Sequence, residues 1–336
     1  MRATSAEEMP SLSPDESTEE SIGTVHGKHA DANGAAGVSS AASTRALRLL
    51  SAVRPYLELT KPRISLWLHI AAIASFYLAS GSSVDVIGLL IMIAGSATLT
   101  SGVFALNHYL ERRPDAAMRR TADRPLPSGR LSARRALAFG FGASVLGLSV
   151  LFAFVNLLAA VLAFSVLVIY LAVYTPLKLR TPYHTTPGAV AGAMPPLIGW
   201  AAATGSIGAP AWVLFGIVFF WQYPHFLSID MVYREDYARA GMRVLPVVDT
   251  SGRSTMVHIV GTTFLLVSVS LFPQFLGINT LLYTLVAAVL GAVFCYRSFD
   301  AGRRRTRPAA RRLLIYTVLY LPVLLLVMVA DAMLLA

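Results

Sequence analysis

The chain has 336 residues, is 55% hydrophobic and only 14% charged, and has a mean hydropathy of +0.61. A soluble domain carries about 25% charged residues, so the composition excludes an ordinary soluble protein and predicts one embedded in a membrane. One cysteine, Cys295, excludes an intrachain disulfide and a CxxC zinc or redox site. The net charge of +10 raises a nucleic-acid partner, but the charges are distributed as at a lipid bilayer, and no nucleic-acid partner is expected.

Residues 1–44 are rich in Ser, Ala, Gly and acids, including Glu7, Glu8, Asp15, Glu16, Glu19, Glu20 and Asp31. Such a segment has too little apolar surface to fold. It has no apolar h-region, and its acidity argues against a mitochondrial transit peptide. Residues 45–63 interleave Arg45, Arg48, Arg54, Lys61 and Arg63 with leucines. That pattern predicts a basic amphipathic helix on the membrane surface. From 64 to 336 the chain predicts a transmembrane domain. Apolar runs long enough to span fall near 64–81, 86–110, 133–155, 157–175, 187–205, 210–230, 256–275, 278–297 and 312–335. Only Val155 and Asn156 separate the third from the fourth. The expected fold is an all-α integral membrane protein with a bundle of nine transmembrane helices.

With the amino terminus in the cytoplasm, connections 81–85, 155–157, 205–209 and 275–278 and the carboxyl end fall outside, and none contains Lys or Arg. All 28 basic residues fall in the tail, at cytoplasmic span edges or in cytoplasmic connections. The partition obeys the positive-inside rule and supports an odd number of spans.

Two cytoplasmic loops, 111–132 and 231–255, exceed what joining packed helices requires. In the first, Asn107, Glu111 and Asp115 recur every four residues, and Arg120, Arg124 and Arg130 follow. Oxygen ligands for a hard cation thus lie beside guanidinium groups suited to phosphate, which points to a metal-bound diphosphate. Pro114 is expected to disturb the turn before Asp115, and Arg120 and Arg124 to share a helical face. An equally available reading is that Glu111 and Asp115 merely balance Arg112 and Arg113 in a solvated loop. In the second loop, His225 and Asp230 lie inside or at the end of an apolar run, where ionisable groups are costly and point to function. Asp236, Arg234 and Arg239 follow. Alternatively, His225 is a hydrogen-bonded residue between helices and Asp230 pairs with Arg234 at i+4. In a third connection, Lys178 is either a diphosphate contact or a positive-inside anchor. Pro195 and Pro196 are expected to break or kink the fifth span, a break that a polar cavity would accommodate.

Four segments carry a resemblance. NHYLERRPDAAMRRTADRPL (107–126), YTPLKLRTPYHTTPGAVAGAMPPLIGW (174–200), WQYPHF with REDYARAGMRVLPVV (221–248) and TKPRI (60–64) resemble the protohaem IX farnesyltransferase (haem O synthase) branch of the UbiA-type intramembrane prenyltransferases. The resemblance runs over about residues 55–335. It implies a central cavity open to the cytoplasmic side; the acidic tail without a transit-peptide pattern favours a bacterial plasma (cell inner) membrane over a mitochondrion. It implies farnesyl diphosphate and haem B (protohaem IX) as substrates, with Mg²⁺ or another divalent cation. The reaction would transfer farnesyl to the 2-vinyl group with addition of water, giving haem O. Delivery to a haem A synthase or to terminal-oxidase assembly is implied in the same way. Carried over by position, Glu111, Asp115 and Asp236 are metal ligands, and Asn107, Arg120, Arg124 and Lys178 bind the diphosphate. Asn107, Arg120, Arg124 and His225 are catalytic, His225 through haem positioning or proton transfer. The chain departs from the family pattern at Asp230, usually small and apolar, which makes Asp230 a second candidate beside Asp236. Other classes stay in view: a UbiA-type enzyme for a quinone precursor or chlorin, a secondary transporter without a visible internal repeat, or an assembly factor.

Overall fold

The structure is a computed structural model that describes residues 51–335. The readings for residues 1–44 and for the first part of the surface helix, 45–50, lie outside the described residues. Among those residues there is no strand.

A helix over 51–59 leads into nine long helices. These are α1 (Pro62–Ser80), α2 (Val86–Ala117), α3 (Ala133–Phe154), α4 (Leu157–Leu177), α5 (Thr185–Thr204), α6 (Ala209–Val232), α7 (Arg253–Ser270), α8 (Leu281–Arg304) and α9 (Arg307–Met333). Eight are long and apolar enough to cross a membrane. The exception is α5, whose Gly, Pro and Thr residues dilute its hydropathy. The chain is a multi-pass membrane protein.

Large apolar side chains such as Phe141, Phe152, Val289 and Leu326 point outward, whereas Ala71, Ala136, Ala159, Ala163 and Ala193 are buried. This suits a bilayer. Lipid is as apolar as leucine, so helices associate through small residues that let backbones approach. The backbones of α2 and α3 approach closely. A Cβ on Gly147 would lie 2.4 Å from the Leu99 amide nitrogen, and one on Gly102 would lie 2.6 Å from that of Ser144. Further round, α1 packs on α5 and α9, α6 on α5, α7 and α9, and α4 on α5.

The two-residue break between the third and fourth spans is a built corner. α3 ends at Phe154, and the Asn156 side chain caps α4 by accepting from the Ala159 amide at 2.8 Å. Its Nδ2 donates to the Ala201 carbonyl on α5, also at 2.8 Å. Asn156→Ala is therefore expected to lower unfolding free energy by about 1–2 kcal/mol, read as a fall in the thermal midpoint in detergent.

Three prolines leave their helices unbroken, against the expected disturbance at Pro114 and break at Pro195 and Pro196. α2 continues unbroken past Pro114 to Ala117. Proline removes one rung of the ladder, and the rungs on either side hold the helix. α5 is likewise continuous through Pro195 and Pro196. The Pro196 carbonyl accepts from the Ser75 hydroxyl on α1 at 2.6 Å.

Candidate active site

Because α2 stays helical to Ala117, Asn107, Glu111 and Asp115 fall on one face at i, i+4 and i+8. All three are buried. They line a polar chamber with Lys61, Arg120, Arg124, Lys178, His184, Asp230 and Tyr237.

Each acid on α2 is engaged by a base. Lys178 Nζ donates to Glu111 at 2.7 Å. Arg124 Nη1 donates to both oxygens of Asp115, at 2.9 and 2.8 Å. The Asn107 carbonyl oxygen accepts from Lys61 Nζ at 3.1 Å, and its amide donates to the Thr175 hydroxyl at 3.1 Å. Burial works against the charge of Lys178, but Glu111 outweighs it and holds the amine above its ordinary range. His184 is held down to about 4, chiefly by burial, so it adds no cation to the chamber.

The loops after α2 and α6 fold onto each other above this chamber. Residues 118–131 form successive turns, so Arg120 and Arg124 do not share a helical face as expected; tertiary partners place them instead. The Arg120 guanidinium lies over the Tyr233 and Tyr237 rings, 4.7 and 5.7 Å from their centroids. Met118 from the first loop packs with Met242 and Val244 from the second. The Arg243 amide donates to the Lys178 carbonyl at 2.9 Å, which ties in the third connection.

The two candidates of the second loop separate. Asp230, at the end of α6, lines the chamber, and its Oδ2 is buried without a hydrogen-bond partner. It does not pair with Arg234. Asp236 lies on the short helix Arg234–Arg239. It accepts from Arg239 and from the Arg119 amide and is not among the chamber-lining residues. Among the described residues no three His, Cys, Asp or Glu side chains converge tightly enough to hold a metal. The donor set nonetheless suits a hard cation. Glu111, Asp115 and Asp230 supply carboxylate oxygens, and one of these oxygens is buried and unsatisfied.

Three residues of the site are not among the sequence's site candidates, Lys61 standing there as part of the basic surface helix. Lys61 caps α1 in a left-handed conformation, φ 46°, a strained setting for a non-glycine residue that is common where function demands it. Its nitrogen also lies 4.9 Å from the Phe104 ring centroid. Tyr170 and Tyr174 project from a π-helical segment, Ile169–Tyr174, inside α4. Such widened turns mark functional sites, but no local residue pattern foretells one.

Two apolar chambers adjoin the polar one. One, of about 180 Å³, is lined by α1, α2, α4, α5 and α6 and includes His69, Phe104, Tyr170 and Tyr174. The other, of about 380 Å³, is lined mainly by α1, α6 and α9 and includes Arg63, Trp67, Trp221 and His225. Ile64 and Phe226 line all three. His225 thus lies in a chamber next to the acids and not among them.

Lys61 makes the polar chamber sensitive to pH. Burial, and then Arg124, lower its amine to about 7 against the pull of Glu111. If the chamber takes a diphosphate, the anion favours the charged amine, and above about pH 7 binding would take up a proton. Lys61 alone should then raise the pyrophosphate Kd toward about tenfold per pH unit above that point. The ratio of native to Lys61→Arg affinity, measured by calorimetry between pH 6 and 9, should show this slope, because arginine stays charged. A ratio independent of pH would remove Lys61 from the anion site.

The UbiA prenyltransferase family model matches residues 68–328. A protoheme IX farnesyltransferase of Solibacter usitatus is 47% identical over 289 residues, covering 83% of this chain and 99% of that protein. Two solved structures share the fold. One, of digeranylgeranylglyceryl phosphate synthase, has a TM-score of 0.71 at 19% identity and covers 84% of this chain and 98% of its own. The other, a UbiA homolog from Archaeoglobus fulgidus bound to GPP and Mg²⁺, has a TM-score of 0.61 at 16% identity and covers 82% and 99%. The family match spans the acid-bearing face of α2, the π-helical turn of α4 and the junction at Phe226, and the chain belongs to the UbiA prenyltransferase family.

Proposed function

We propose that the chain transfers the farnesyl group of farnesyl diphosphate to the 2-vinyl group of haem B, with addition of water, to make haem O. The observation that carries prenyl transfer is the meeting of one charged and two apolar chambers at Ile64 and Phe226. The choice of haem as acceptor follows the name of the 47% identical relative.

In this reading the diphosphate occupies the polar chamber, the farnesyl chain the narrower apolar chamber and haem the wider one. A divalent cation, Mg²⁺ as in the Archaeoglobus neighbour, neutralises the diphosphate and assists its departure when bound. Glu111, Asp115 and Asp230 would hold it. Asp230 replaces Asp236 as the second-loop ligand because it lines the chamber and one of its carboxylate oxygens has no hydrogen-bond partner. Lys178 and Arg124 then exchange their carboxylate partners for phosphate oxygens, joined by Lys61 and Arg120. Asn107 keeps Lys61 aimed at the leaving group. These fixed charges stabilise the departing anion where it forms. The C1–O bond breaks with allylic cation character. The apolar walls, including the Phe104 and Tyr170 rings, keep water from quenching the cation. The vinyl group adds to C1, and water captures the resulting cation beside the porphyrin and gives up a proton, which the released diphosphate can accept.

The positive-inside partition supports a cytoplasmic amino terminus, a polar chamber on the cytoplasmic side and nine spans in a plasma membrane. Haem O would pass to a haem A synthase or to terminal-oxidase assembly. The test supplies purified protein in lipid with haem B, farnesyl diphosphate and Mg²⁺, and resolves the extracted haems by chromatography and mass. A haem heavier by farnesyl plus water, absent with chelator, is expected. Unchanged haem together with a prenylated quinone precursor would replace this reading.

A further inference from the structure

The wider apolar chamber contains one nitrogen prepared for a metal. His225 Nδ1 lies 2.8 Å from the Thr317 hydroxyl on α9. That hydroxyl has a single hydrogen, already donated to the Leu314 carbonyl at 2.7 Å. It therefore accepts from His225, Nδ1 carries the proton, and the lone pair resides on Nε2. Nε2 has no partner among the described residues and is not sealed off from the chamber. His69, in the neighbouring chamber, has both nitrogens engaged, by the Ser65 carbonyl and the Ser96 hydroxyl.

The ring is also fixed in direction. Trp221 stacks on it, 4.7 Å between centroids with planes 16° apart. The Trp221 indole N–H donates to the Thr317 carbonyl at 2.8 Å, so one residue of α9 holds both rings. A neutral imidazole, its remote N–H bonded to an oxygen and its other nitrogen open to an apolar cavity, is the arrangement of a metal ligand with its supporting contact. Arg63 lines the same chamber, is exposed and makes no ion pair among the described residues. Among the described residues it is a cation without an ion pair at a mostly apolar cavity.

We propose that His225 Nε2 is an axial ligand to the iron of the porphyrin acceptor in the α1–α6–α9 chamber, with Arg63 engaging a propionate carboxylate. The inference rests on the haem reading above and deepens it. Held at its centre and at one edge, the porphyrin is oriented by two contacts, and a vinyl edge can be presented toward Ile64 and Phe226. Selection then includes the metal as well as the ring.

The test titrates the full chain in lipid vesicles with iron(III) protoporphyrin IX and, separately, with the metal-free ring, following the Soret band and the electron paramagnetic resonance spectrum. Native protein should give an imidazole-ligated iron spectrum. His225→Ala should lose it and bind the iron porphyrin at least about tenfold more weakly. Its affinity for the metal-free ring should stay unchanged, which shows that the chamber is folded. Added imidazole should restore the spectrum. Thr317→Val keeps the imidazole but removes its acceptor, and should shift the Soret band and weaken iron binding about tenfold. Identical iron spectra in native protein and His225→Ala, with farnesylation intact, would overturn axial ligation while leaving the haem reading standing. Failure of the native protein to bind either porphyrin, with no haem product, would overturn both.

Discussion

Asp115→Asn is expected to lower kcat by ~10²–10³-fold, the usual cost of losing one preorganised charge-stabilising group. Asp115 is 1% exposed, and both of its oxygens accept from Arg124. Asparagine keeps the shape but removes the charge that positions the arginine and that, in the proposed reading, attracts a cation. Asp230→Asn should fall as far, because Asp230 lines the same chamber with a carboxylate oxygen that has no partner. Asp236→Asn should change kcat only a few-fold, because its carboxylate is occupied by Arg239 and the Arg119 amide. The three variants, assayed for haem O formation at saturating Mg²⁺, separate the readings of the second loop. A native rate in Asp115→Asn would remove Asp115 from the essential ligands. A loss in Asp236→Asn with none in Asp230→Asn would reverse the assignment.

The second large effect is on stability. Gly147→Ala would place a Cβ 2.4 Å from the Leu99 amide nitrogen and 2.6 Å from the Gly95 carbonyl. Both neighbours are helix backbone, which cannot turn aside as a flexible side chain can. α2 and α3 must part, at a cost of about 1–3 kcal/mol for overpacking a tight interface. Since α2 carries Asn107, Glu111 and Asp115, activity should fall with the thermal midpoint. Gly142 lies on the same helix with nothing within 4 Å of its added Cβ. Gly142→Ala should leave the midpoint unchanged or raise it, by up to about 1 kcal/mol of helix propensity. Equal midpoints for the two variants would show that close backbone contact is not what holds α2 to α3.

The sequence by itself determined the membrane character, the positions of the long helices and the corner at Asn156. It also determined the four-residue rhythm of Asn107, Glu111 and Asp115. Each of these is local: hydropathy is summed over one span, and helical spacing puts Asn107 and Glu111, at i and i+4, on one face. Only the structure, with α2 unbroken past Pro114, adds Asp115 to that face. What joins elements far apart in the chain was decided only by the tertiary structure. Lys61 reaches Asn107 across 46 residues, and its left-handed backbone has no signature in TKPRI. In the sequence Asp230, at the end of an apolar run, and Asp236, just beyond it, both stand as candidate ligands. Only packing leaves the first unsatisfied against the chamber and binds the second to Arg239. Arg120 and Arg124 are positioned by Tyr233, Tyr237 and Asp115 and not by a helix of their own. The role inferred for His225 depends on a hydroxyl 92 residues away, whose one proton is already committed elsewhere. Spans are read from local free energies of transfer, whereas a site is made of contacts whose partners are named only once the helices have packed.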